Sequence, residues 1–66
     1  MDIMAIRLRT LREKMGMSQA KLAKEIGVTQ ASVNRYETAR VTPPAEVLLF
    51  YADRFDVSLD YIYGRT

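Results

Sequence analysis

The sequence predicts an all-α fold of five short helices, and three observations carry that expectation. Apolar residues recur at spacings of three and four along most of the chain. Serine or threonine precedes several of these runs, and each glycine closes one, which is the usual punctuation of helix starts and stops. No stretch alternates apolar and polar residues with the period of a strand.

Met4, Leu8, Leu11 and Met15 form one apolar stripe, predicting a first helix that ends near Gly16. Ser18 suits the N-cap of a second, whose Leu22, Ala23 and Ile26 share a face before Gly27 stops it. Thr29 can cap a third. Val33 and Tyr36 then point inward, leaving Gln30, Asn34 and Arg35 outside. Pro43 and Pro44 suit the start of a fourth helix, where a missing N–H costs nothing, and Leu48, Tyr51, Ala52 and Phe55 mark its buried face. Ser58 caps a last short helix running through Tyr63, with Gly64 as its stop.

Sixty-six residues suffice for one domain, expected to span 1–66. Size scaling gives a folded surface of roughly 4,300 Å² against about 11,000 Å² for the extended chain. Most apolar residues are therefore committed to the core, with little left to line an enzyme pocket. The chain has no cysteine and no histidine, which removes thiolate chemistry, the commonest general base and the commonest metal ligand. Asp53, Asp56 and Asp60 read more simply as helix-surface and first-turn residues than as a metal cluster. The expectation is a non-enzyme with no cofactor, no metal and no evident small-molecule effector. No apolar run approaches the 18 residues of a membrane span, and charge interrupts the N-terminal hydrophobes, so neither membrane insertion nor export is expected. A cytoplasmic location follows.

The charge is unevenly spread. Residues 1–40 carry eight of the ten basic and four of the eight acidic residues, a net +4, whereas residues 41–66 carry two bases and four acids, a net −2. One end is cationic, which fits either an acidic partner or an uneven solvated face.

The most informative stretch is QAKLAKEIGVTQASVNRY, Gln19 to Tyr36. Two short helices meet at a turn through Gly27 and Val28; glycine tolerates a positive φ there, Ala23 permits close approach, and Val28 fills the corner. Val33 is placed to pack against Leu22 and Ala23. Such a crossing projects the third helix outward, as a helix entering a DNA major groove requires. Spacing alone also allows a plain helical hairpin.

From LRTLREKMGMSQAKLAKEIGVTQASVNRYE at Leu8 to Glu37, and through PPAEVLLFYADRFDVSLDYIYG at Pro43 to Gly64, the chain resembles the Cro/repressor-type, or XRE, helix-turn-helix regulators. The resemblance implies a compact five-helix domain of the lambda-repressor-like DNA-binding type, with helices two and three forming the helix-turn-helix. It implies a dimer on palindromic operator DNA that controls transcription, most simply as a repressor, and is nucleoid-associated when bound. It places Gln30, Ala31, Ser32 and Arg35 as base readers and Gln19, Thr29, Asn34 and Arg40 beside the phosphates. Gln30 has the bidentate match to adenine, and Arg35 can pair with guanine or with a phosphate. Ala31 suits a thymine methyl, and Ser32 a base edge or phosphate. Gln19 opens the second helix, where a phosphate contact and an ordinary polar role both fit. Arg40, with loop amides near Thr38 and Ala39, suits a clamp on the sugar-phosphate strand. Arg9, Lys14, Lys21 and Lys24 can add long-range attraction. Arg12 and Glu37 are implied as a structural ion pair.

Two departures stand out. Thr38-Ala39 replaces the frequent Asn-Gly, leaving the conformation of the exit turn open, and Ile6 and Phe50 replace polar residues and are expected to be exposed. Val47, Phe50, Leu59, Tyr61 and Tyr63, in the less basic half, are the candidates for a self-interface, with core filling as the competing role. The alternative function is an interaction module of the same fold that binds a toxin or a transcription component through its apolar C-terminal half.

Overall fold

Four of the five helices start where a side chain accepts one of the unpaired first-turn amides. In the computed structural model, which describes residues 2–66, the helices are α1 Ile3–Lys14, α2 Gln19–Ile26, α3 Gln30–Glu37, α4 Ala45–Phe55 and α5 Leu59–Tyr63. Ser18, Thr29 and Ser58 accept the amides of Lys21, Ser32 and Tyr61, each closing the first turn of its helix. Asp2 does the same for Ala5, a cap absent from the sequence reading. Pro44 stands at the N-cap of α4 without a side-chain bond.

The helix ends matter most at the corner. Gly27 adopts φ +91°, its amide and that of Val28 both donate to the Ala23 carbonyl, and the chain turns from α2 into α3. Ala23 is buried at that crossing, in the same cluster as Leu22 and Val33. The corner thus pins α3 to α2 by apolar packing, and α1 packs against α3 as well.

The core comprises Leu8, Leu11, Met17, Leu22, Ala23, Val33, Tyr36, Val47, Leu48, Tyr51 and Ile62, with Tyr51, Leu8, Leu22, Ile62 and Val33 fully hidden. Three sequence expectations need correction. Met15 lies beyond the last helical residue of α1, 55% exposed, and Met17 fills the core position instead. Phe50 is not exposed but half-buried against the core. Val47 is only 6% exposed; as a core residue it has no surface to give a self-interface. Its neighbours Leu48 and Tyr51 share the inner face of α4, and the helical period carries Val47 with them. Ile6, by contrast, is exposed.

Candidate nucleic-acid interface

The periodicity of α3 separates a buried from an open face. Val33, Tyr36 and Glu37 point inward. The helical period then sets Ala31 and Arg35 along the middle of the opposite face, with Asn34 and Ser32 on its two flanks and Gln30 in the open first turn. All but the half-buried Ser32 are exposed. Gln30 and Arg35 are separated by about 7.5 Å along the axis, or about two base steps. Arg35 is the one charged residue on the open face, since Glu37 is turned into the core.

Thr29 and Ser32 are tied together at the front of the helix. Thr29 Oγ1 accepts the Ser32 amide at 3.1 Å and donates to Ser32 Oγ at 3.0 Å. The Thr29 hydroxyl is thereby committed to the cap, whereas the Ser32 hydroxyl keeps its own proton to donate. Asn34 is exposed, and its backbone carbonyl closes the helix by accepting the Thr38 amide and hydroxyl.

Beneath this face, Glu37 binds Arg12 through two parallel bonds, Nε to Oε2 at 2.7 Å and Nη2 to Oε1 at 3.0 Å. Arg12 Nη1 also donates to the Met17 carbonyl at 2.7 Å, so the guanidinium ties α1 to the end of α3 and to the loop leading into α2. The hydrogen bond to Glu37 raises the Arg12 pKa above its ordinary value, despite the opposing cost of burial. Tyr51 lies close by with its phenol pKa raised, first by burial and then by the Glu37 charge. Its hydroxyl has no hydrogen-bond partner among the described residues.

Gln19, the first residue of α2, is half-buried, and its Nε2 donates to Glu37 Oε1 at 3.1 Å. The sequence reading missed this bond, because nothing local in residues 18 positions apart announces it. The exit turn is also now defined. Ala39 takes φ +62°, the left-handed conformation that the absent glycine would favour. The Thr38, Arg40 and Val41 amides donate back to α3 carbonyls. Of the loop amides expected to meet a phosphate, that of Ala39 alone has no backbone acceptor among the described residues, and the Arg40 side chain is exposed beside it.

Around this surface Lys21, Lys24, Arg35 and Arg40 are exposed. The one acid of α2, Glu25, is paired with Arg54 at 2.9 Å. The candidates for a self-interface divide. Leu59 and Tyr63 are exposed, four residues apart on one face of α5, whereas Tyr61 is half-buried. Among the described residues no helix is long and apolar enough to cross a membrane.

A family profile described as helix-turn-helix matches residues 8–62, nearly the whole of this architecture. The chain belongs to the Cro/repressor-type (XRE) helix-turn-helix family. Among relatives of this XRE-family domain, an uncharacterised HTH-type transcriptional regulator, YobD of Bacillus subtilis, is 40% identical over 60 residues, covering 91% of this chain and 54% of the relative. The cryptic phage CTXphi transcriptional repressor RstR of Vibrio cholerae is 36% identical over 59 residues, 89% of this chain and 53% of the relative. The chain thus spans about half the length of these two curated relatives. In three dimensions it is similar to the P22 c2 repressor protein solved in complex with a synthetic operator, with TM-score 0.89, 29% identity and full coverage of both chains. The fold is all-helical and lambda-repressor-like, and the relatives are regulators rather than enzymes.

Proposed function

We propose that this XRE-family domain is a sequence-specific DNA-binding regulator of transcription that docks α3 in the major groove. The observation that carries this reading is the open face of α3, where Gln30, Ala31, Asn34 and Arg35 stand exposed on a framework that superimposes on a repressor solved with its operator. Gln30 reads adenine, Arg35 reads guanine or holds a phosphate, Ala31 meets a thymine methyl and Ser32 donates to a base edge. Gln19, Thr29, Asn34 and Arg40 face the sugar-phosphate strands, with Thr29 contributing through the helix N-terminus that it caps.

A face of this length spans too few base pairs for high discrimination, so a two-fold dimer on a palindrome supplies the rest, with equivalent helices about 34 Å apart. Leu59 and Tyr63, exposed apolar side chains on α5, are placed to form its contact, with Phe50 and Tyr61 at the margin. Repression by occupying an operator is the simplest outcome.

Selection of bound fragments from random duplex DNA tests the reading. Recovery of a palindromic consensus whose affinity falls steeply with salt is expected. Failure to enrich any sequence, or binding indifferent to salt, would overturn it.

A further inference from the structure

Glu37 is the meeting point of three helices. Its carboxylate takes two bonds from Arg12 on α1 and a third from Gln19 Nε2 on α2, while the residue itself ends α3. Only 2% of its side chain is exposed. An ionised carboxylate is an acceptor and nothing else, so it dictates which end of the Gln19 amide faces inward: the NH2 group turns toward Glu37. One N–H goes to Oε1. The second N–H remains for an acceptor outside.

We propose that Glu37 is a positioning residue for DNA binding, acting through Gln19: its buried carboxylate holds the glutamine amide with a donor presented to a phosphate oxygen. The inference rests on the reading of Gln19 as a phosphate contact. Glutamine is among the costlier side chains to immobilise, and the bond to Glu37 makes that ordering part of folding instead of binding. The same bond links the first residue of α2 to the last residue of α3. A phosphate held by Gln19 is therefore held in fixed register with the bases beneath the reading helix.

The test uses a duplex recovered by selection on this chain and a shuffled duplex of the same composition. Gln19→Ala is expected to bind both about ten-fold more weakly. The dependence on salt should keep its slope, because a neutral donor releases no counterion. Glu37→Gln is expected to lose a similar factor, and the double variant to be no weaker than the weaker single one. Gln19→Asn leaves the Arg12 pair intact and shortens the reach by one methylene; it should lose as much as Gln19→Ala, which keeps the test open if Glu37→Gln does not fold. In the DNA-free protein, one Gln19 side-chain amide proton should resonate downfield and exchange slowly.

Full binding by Gln19→Ala would remove the phosphate reading and the proposal together, even if the parent protein shows that amide signal. A weakened Gln19→Ala whose loss multiplies with that of Glu37→Gln would leave the phosphate reading standing and overturn the proposal alone. Gln19→Asn binding as tightly as the parent would do the same.

Discussion

The Arg7 guanidinium lies 4.3 Å from the centre of the Tyr61 ring, and its Nη1 donates to the Tyr61 carbonyl and, at 2.7 Å, to that of Thr66. A five-residue helix has almost no stability of its own, so α5 depends on such ties to α1. Ile3 adds a second: a Cβ at Gly64, which has φ +81°, would stand 2.7 Å from Ile3 Cγ2. The same guanidinium half-covers Tyr61, leaving Leu59 and Tyr63 as the open apolar groups of α5.

Arg7→Ala should therefore destabilise the domain by about 1–2 kcal/mol, the combined loss of a cation–π contact and charge-assisted bonds. Urea denaturation reads the loss. Hydrogen exchange should show the α5 amides opening before those of α2 and α3, and a uniform change across all helices would contradict the tie.

Arg12→Met should cost about 3–5 kcal/mol, because it strands the Glu37 carboxylate in the core. A domain of this size has little more than that to lose. Replacing both partners, Arg12→Met with Glu37→Leu, should restore much of the stability, since no buried charge is then left unpaired. Thermal melts of the three variants decide it. A double variant no more stable than Arg12→Met would show that the pair contributes more than mutual neutralisation.

Tyr51 gives the stability an alkaline limit. Burial raises its folded pKa, so the native chain keeps a phenol proton that the unfolded chain releases above pH of about 10. This contribution is complete below that pH and declines as pH rises toward the folded value, at up to about 1.4 kcal/mol per unit. Tyr51→Phe should flatten that decline. At neutral pH it should shift stability by less than about 1 kcal/mol, because the hydroxyl has no partner to lose among the described residues. Denaturant titrations at neutral and alkaline pH compare the two slopes.

Ala39→Gly should stabilise the domain by about 0.5–1 kcal/mol. Relief of the left-handed strain at φ +62° exceeds the extra freedom that glycine gives the unfolded chain. A higher urea midpoint at unchanged slope is the expected signature, and a lower midpoint would mean that the Ala39 methyl makes contacts worth more than the strain.

Arg35→Ala separates two roles for the same side chain. As a base reader its loss should relax selection at one position by about 1–3 kcal/mol. As a phosphate contact its loss should weaken every duplex alike and reduce the salt slope by about 0.9. Competitive binding across a panel of single-base variants distinguishes them.

The helices were legible because their signals are local. The caps at Ser18, Thr29 and Ser58 and the stops at Gly27 and Gly64 act within one turn of chain, and the spacing from Leu48 through Tyr51 to Phe55 states its own inner face. Periodicity alone also exposes Gln30, Asn34 and Arg35. It misplaced Met15, because a stripe continued past the last helical residue no longer obeys the helical period; Val47, offered to a partner for its place in the less basic half, sits four residues before Tyr51 on the face that the core claims. Whether an apolar side chain at a helix margin is covered depends on what arrives from elsewhere in the chain.

The order of helices, the outward set on α3 and membership of the XRE family belong to the sequence, since each follows from neighbours a few residues apart or from a contiguous motif. Tertiary structure alone decided that Gln19 reaches Glu37, that Arg7 lies over Tyr61 and that Ala39 turns left-handed. Two of these are contacts between separate helices, and the third is a backbone state that alanine adopts where the surrounding chain compels it. Such relationships arise when packing brings distant groups within a few ångströms, and no spacing in the sequence encodes that distance.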